Sequence, residues 1–427
     1  MSRSSRAPRI AAARALLLAG ALGVVAVLAA SCSSAGNGES ASTTAPAPST
    51  TLPPTTSTTQ APGKDAVVFV SVGGNIDAYA AQPPFDRQRV VAAGTAADGS
   101  EPHGQICFLP DGSRRFVVAE TRPARAGRPA AAGFGLYQLT GDDVGTYRVA
   151  RLGGVDDPAA SAGGGSTTYG CAFLPDGRLL TTVVGSSTGA ATGQLPEWFA
   201  PFTAARATRC VIATGLASPG GLATDRNNGI EVAVSRAPGA GVWRFSGSFP
   251  ASASACGALS PPTTTAANRA TGPASVASGV TASQLVVAGA HGLSAPAAVA
   301  VSADGKSLVV TSPPDGIIDE FDLTGQFSST LLAPKAGEQL GANPRASGSP
   351  FGVAVNGDGA VFYADPGLVK APNGTIAPGI RVGSLRRIVV ANGKAAPPQL
   401  VNGRLPGPDG LGIFDPTSAA GGSASIA

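Results

Sequence analysis

The sequence predicts an all-β chain, a six-bladed β-propeller that follows a disordered tether, and three observations lead there. Gly (58) and Pro (36) supply 94 of 427 residues while charged residues reach only 13%, a composition poor in long-helix formers that excludes coiled coils and helical bundles. A short pattern ending in a Gly-containing turn recurs six times. The last copy leaves room for one strand only, whereas the first is preceded by two short strands with no blade of their own. A hydrophobic content of 43% supports a sizeable core and excludes wholesale disorder.

Residues 1–31 have the layout of an export signal: four arginines (Arg3, Arg6, Arg9, Arg14), then an uncharged and mostly apolar run over 15–30. That run is short for a stable membrane span, which needs about 20 residues. It ends in Leu28-Ala29-Ala30-Ser31-Cys32. This segment resembles the bacterial lipobox, in which small residues precede a cysteine that receives diacylglycerol; here the leucine stands four rather than three before the cysteine. The resemblance implies a lipidated Cys32 as the mature N-terminus. It also implies a chain anchored at the extracytoplasmic face of the cell membrane, with the membrane as a partner. Residues 1–31 hold no acid, so their removal leaves 26 basic and 26 acidic residues. Nucleic-acid binding by phosphate neutralisation has no basis in that balance. Residues 32–64 are rich in Ser, Thr and Pro with almost no large apolar side chain, an extended tether that cannot bury a core.

The propeller is expected over 65–416, with a flexible tail at 417–427. Its clearest repeat copy is Pro350-Phe351-Gly352-Val353-Ala354-Val355-Asn356-Gly357-Asp358-Gly359. The segment 296–305 matches it without a gap, 408–414 matches its first seven positions, and 168–177 and 103–112 align from the Asp-Gly end. The segment 219–229 fits with one extra residue and Asn228 in place of the aspartate. An Asp-Gly pair between apolar runs suits a tight hairpin, because Gly accepts a positive φ. The fourth copy shows a whole blade, with strands expected over 298–301, 307–311, 317–323 and 327–332. One such sheet cannot bury both faces alone; six arranged radially can. The Ser/Ala/Thr/Pro-rich stretch 249–279 shows no alternation and reads as a long loop. Strands at 66–72 and 76–80 are expected to pair with the strand at 408, so that both chain ends share one blade and no sheet edge is left exposed.

Four cysteines remain in the mature domain: Cys107, Cys171, Cys210 and Cys256. An even count in an exported protein suggests disulfides, with three possible pairings. The repeat alignment puts Cys171 one position before Cys107, so the two point to opposite sheet faces, as a bridge between adjacent blades requires. Cys107–Cys171 and Cys210–Cys256 are therefore expected.

Over these residues the chain resembles the six-bladed propellers of the NHL-repeat, TolB-like and SMP-30/gluconolactonase group. Phe108-Leu109-Pro110-Asp111-Gly112 and Phe173-Leu174-Pro175-Asp176-Gly177 are also similar to blade turns of quinone-dependent sugar dehydrogenases. The resemblance implies a ligand site at one mouth of the central channel, near the start of each innermost strand. The alignment puts His103, Tyr169, Phe351 and Asp409 there, with Glu101 nearby, and these five are the candidate ligand-binding residues. SMP-30-like lactonases hold a divalent metal with Glu, Asn and Asp, the aspartate standing in Pro-Asp-Gly. Asp409 matches that aspartate, so a divalent cation such as calcium is the cofactor the resemblance suggests. Glu101 is a loose match to the glutamate and no Asn occupies the other ring positions, so the ligand set falls short of the six or more oxygens a hard cation takes.

Two functions follow. The first is a membrane-anchored binding scaffold for a ligand or protein at the cell surface, favoured by anchor, tether and a sparsely polar channel. The second is a metal-dependent hydrolase of the gluconolactonase kind, or a sugar-dehydrogenase-like enzyme, using the channel mouth.

Overall fold

The computed structural model describes residues 66–124, 129–160, 166–185, 191–202, 207–262 and 272–416. Cys32, the tether and the tail lie outside the described residues. The core of the chain is a ring of six antiparallel sheets. Blade I runs outward from the axis through Glu101–Phe108, Arg115–Arg122, Ala131–Thr140 and Arg148–Asp156. Blade II runs through Thr168–Phe173, Leu179–Val183, Gly193–Phe199 and Thr208–Leu216, and blade III through Pro219–Thr224, Ile230–Val234, Gly241–Gly247 and Val280–Val287. Blade IV consists of Ala298–Val301, Ser307–Ser312, Ile317–Asp322 and Phe327–Leu332, the sequence expectation to within one residue at every strand end. Blade V consists of Val353–Val355, Val361–Asp365, Gly383–Ile388 and Gln399–Leu405.

Blade VI closes the ring. The C-terminal strand Pro408–Phe414 pairs antiparallel with Val67–Val72, which pairs with Asn75–Ala80, so the two ends of the chain share one sheet. The sheet has a fourth strand that sequence reasoning missed, Arg87–Val91. Its Arg-Gln-Arg composition hides it. Arg87 and Arg89 fold inward onto Asp77, whose carboxylate is fully buried and receives them at 2.7 and 3.0 Å. A second departure concerns 249–279, which is not wholly loop. Ser275–Ala277 pairs with blade II through Ala213 and Thr214, and Leu259–Ser260 pairs with it in turn. These strands are two and three residues long and built from small residues on an outer edge, so no alternation marks them.

The hydrophobic core is a set of slabs, one between each neighbouring pair of blades. Phe69, Phe108, Phe116 and Tyr137 fill the slab between VI and I; Phe134, Phe173 and Trp198 fill that between I and II. Phe116 stacks on Tyr137 with centroids 5.2 Å apart. Four further clusters complete the circle. Among the described residues no helix is long and apolar enough to cross a membrane.

Both expected disulfides form. Cys107–Cys171 ties the innermost strands of blades I and II (Cα–Cα 6.0 Å), and Cys210–Cys256 ties the fourth strand of blade II to the connection between the third and fourth strands of blade III (5.4 Å), not, as the sequence suggested, to a loop leaving that blade. The faces are as the alignment requires: Cys107 and Cys171 meet inside the slab between their blades.

What brings the blades together at the axis is the absence of side chains. A Cβ on Gly104 would lie 2.5 Å from the carbonyl oxygen of Tyr169, on Gly170 2.5 Å from that of Gly220, and on Gly220 2.1 Å from that of Ala297. On Gly352 it would lie 2.6 Å from the oxygen of Asp409, and on Gly410 only 1.7 Å from that of Gly104. Real Cβ atoms never approach so closely, so five of the six joints between innermost strands depend on glycine. Replacing Gly410 by Ala is expected to cost about 3 kcal/mol or more by overpacking. Gly153→Ala serves as the control, since a Cβ there meets nothing within 4 Å. Thermal unfolding of the two variants checks this: Gly410→Ala melts well below the parent and Gly153→Ala close to it.

Candidate functional site

The starts of the innermost strands form one mouth of the channel. Tyr169 of blade II reaches across it, and its hydroxyl donates to the main-chain oxygen of Asp409 in blade VI at 2.5 Å. Phe351 of blade V sets its ring edge-on against Tyr169, centroids 5.4 Å apart. The Asp409 carboxylate accepts from the Gly104 amide at 3.1 Å. His103 turns toward blade II, with Nε2 2.9 Å from the carbonyl oxygen of Thr168 and 3.0 Å from the Thr167 hydroxyl. Facing a carbonyl, Nε2 carries a hydrogen, and the other ring nitrogen, Nδ1, points away from both partners. That Nδ1 is buried with no hydrogen-bond partner among the described residues. Glu101 is placed differently: its carboxylate lies against Gly74 in the hairpin of blade VI, 3.3 Å from where a Cβ there would be. The structure therefore links Tyr169, Phe351 and Asp409 directly. It sets His103 beside them and gives Glu101 a separate neighbour.

Just below the mouth lies a residue that sequence reasoning missed. Gln105 follows the bulge in the innermost strand of blade I and spans to blade III, where its Nε2 donates to the Leu222 oxygen (2.8 Å) and its Oε1 accepts from the Leu222 amide (3.1 Å). The same Oε1 lies 3.4 Å from the Cys171 amide of blade II. Below Gln105 the axis keeps a cavity of about 20 Å³, lined chiefly by Val299, Val301, Val353, Val355 and Ile413, room for about one water.

Buried hydroxyls complete the seal. Thr182 of blade II donates to the Gly220 oxygen of blade III (2.7 Å) and Thr311 of blade IV to the Phe351 oxygen of blade V (2.8 Å). Ser71 of blade VI donates to the Gly104 oxygen of blade I (2.6 Å). Each sits on the second strand of its blade, opposite the close-approach position of the first, and each satisfies a carbonyl that would otherwise be buried and unpaired.

Asp409 is touched by solvent only from the mouth and is otherwise surrounded by protein. Burial raises its carboxyl to about 6, against the opposing pull of His103 and of amides including Gly104. Burial also pushes the Tyr169 hydroxyl well above its ordinary range, with the Asp409 charge adding to the effect. Asp409 thus titrates close to neutral pH. The donors do not make a hard-cation site, however. One oxygen of Asp409 already serves an amide, and Glu101 lies against the Gly74 hairpin of blade VI. No group of three or more His, Cys, Asp or Glu side chains that could hold a metal occurs among the described residues.

A larger hollow, of about 290 Å³, opens in blade I on the same side of the disk. Its charged lining, Asp98, Glu120, Arg122 and Arg151, was not singled out by sequence reasoning. The available signal was the Gly-rich outer strands, where Gly133, Gly135 and Gly154 leave one sheet face short of side chains.

No protein-family model and no curated protein matches the chain. Among solved structures it is similar to a luciferin-regenerating enzyme, at 13% identity and a TM-score of 0.48 over 77% of this chain and 89% of that one. It is also similar to the periplasmic gluconolactonase of Pseudomonas aeruginosa, at 15% identity and a TM-score of 0.43 over 82% of this chain and 98% of that one. The propeller stands on its own sheet order.

An acid whose folded pKa is raised binds its proton more tightly in the native state, so its effect on stability worsens as pH climbs from the unfolded value toward the folded one. For Asp409 that window runs from 3.8 to about 6. Asp409→Asn removes the titration and is expected to raise the Tm at pH 7 by about 2–4 °C while leaving it nearly unchanged at pH 4. Differential scanning fluorimetry across this range reads the outcome.

Proposed function

We propose that the protein is a lipid-anchored propeller on the extracytoplasmic face of the cell membrane, acting as a scaffold that binds a ligand or protein there. The observation that carries this reading is the self-filled channel mouth. Tyr169 bonds to the Asp409 main chain and packs on the Phe351 ring, Asp409 holds the Gly104 amide, and Gln105 holds Leu222 of blade III, rather than leaving an open, donor-lined cavity. An enzyme working at this mouth would have to expel its own side chains first. The two disulfides support an oxidising compartment outside the cytoplasm. The lipobox-like segment at Cys32 supplies the anchor, and several acyl chains together hold a protein firmly to a bilayer.

Fractionation of cells expressing the parent and Cys32→Ala checks the anchor. The parent is expected in the membrane fraction, and the variant in the soluble extracytoplasmic or secreted fraction. A variant that remains membrane-bound and uncut contradicts the proposal. Calcium-dependent hydrolysis of aldonolactones that is abolished by Asp409→Asn would instead establish the enzymatic reading.

A further inference from the structure

The hollow in blade I is built differently from the channel mouth. Its floor is rigid: Glu120, itself buried, accepts from Arg151 Nε at 2.9 Å and Nη2 at 2.7 Å, and from the Tyr137 hydroxyl at 2.5 Å. Space for that assembly exists because the third strand has no side chain at the point of contact. A Cβ on Gly135 would stand 2.2 Å from Glu120 Oε1, and one on Gly154 2.5 Å from Arg151 Nη2. A bidentate guanidinium–carboxylate pair braced by a phenol is a fixed element, not a swinging surface chain.

The upper part of the hollow is not saturated. Arg122 gives Nη2 to Asp156 at 2.6 Å, but its Nε is buried with no hydrogen-bond partner among the described residues. Asp98 stands between the two guanidiniums without closing on either, 3.4 Å from Arg151 and 3.9 Å from Arg122. Charge-assisted hydrogen bonds settle near 2.7–2.9 Å, so Asp98 is an ionic neighbour of both guanidiniums without a short hydrogen bond to either, and its remaining acceptor capacity faces the hollow. One carboxylate oxygen of Asp98 is held by the Ser100 amide at 3.0 Å, which fixes the group's position.

The charge balance narrows the ligand. Three carboxylates (Asp98, Glu120, Asp156) face two guanidiniums (Arg122, Arg151), so the site has no surplus positive charge for a phosphate or sulfate. Donors and acceptors alternate around it instead, which is what adjacent hydroxyls, each both donor and acceptor, would complement. A volume of about 290 Å³ is at the small end of ligand sites, which run from roughly 300 to 1,000 Å³.

We propose that the cleft of blade I lined by Asp98, Arg122 and Arg151 binds a neutral polyhydroxylated ligand about the size of one sugar ring. The site does not depend on the anchor, so it is present in the Cys32→Ala chain as in the parent.

Isothermal titration calorimetry on the full chain tests this with neutral hexopyranoses and inositol, with glucuronate and sulfate as anionic probes. At least one neutral polyol is expected to bind one-to-one, and Asp98→Ala and Arg122→Gln are each expected to weaken it about tenfold, a loss of 1.4 kcal/mol. Thermal melting of each variant verifies its fold. Hydrogen exchange of the parent provides a reading that needs no variant: the polyol should slow exchange in 131–136 and 151–156. The proposal is overturned if no neutral polyol binds, if sulfate or glucuronate binds more tightly, if both folded variants bind as the parent does, or if bound polyol leaves these strands unprotected.

Discussion

Backbone meets backbone around the axis of this propeller, and the rest of the molecule is arranged to permit it. Gly104, Gly170, Gly220, Gly352 and Gly410 let each innermost strand lie against the next with no side chain between. The sixth joint, between blades IV and V, has Ala297 and Ala298 in place of glycine and is bridged by the Thr311 hydroxyl. Approach this close buries carbonyl oxygens that have no partner in their own sheet. The hydroxyls of Thr182, Thr311 and Ser71, from alternate blades, supply three of the missing partners, so the tight ring and its buried polar groups form one solution.

Closing the ring so tightly decides what the channel can do. Tyr169, Asp409 and His103 Nε2 at the mouth are bonded to main-chain neighbours, Gln105 seals blades I, II and III from within, and about 20 Å³ remains beneath. The volume missing at the axis reappears at the rim. There Gly135 and Gly154 in the outer strands of blade I open a hollow instead of closing a joint, because what they make room for is the charged pair Glu120 and Arg151. The same residue type produces a seal in one place and a cleft in another.

Much of the architecture was legible because it is written in turns. The Asp-Gly pairs at Gly112, Gly177, Gly305 and Gly359 all carry a positive φ and mark four blades, and the variant copies at 219–229 and 408–414 mark the other two. The shared closing blade followed from one surplus strand at one end and unpaired strands at the other. The Cys107–Cys171 bridge followed from a one-position offset. What the sequence concealed was burial that runs against residue type. Arg87–Val91 reads as a polar loop until its arginines find the buried Asp77. Gln105 is turned toward the axis by a bulge that no periodicity announces. The charged residues of the blade I cleft are scattered between 98 and 156, and only sheet pairing brings them together.

Native-state hydrogen exchange at the axis tests the closed ring most directly. The Gly221 amide donates to the Ala297 oxygen at 2.8 Å, the Leu222 amide to Gln105 and the Gly104 amide to Asp409. If the innermost strands form a sealed ring, these three amides exchange only through global unfolding, as slowly as the central strands of the blades. Exchange at these three positions at loop-like rates, with the second strands still protected, would mean an open channel and would contradict the account.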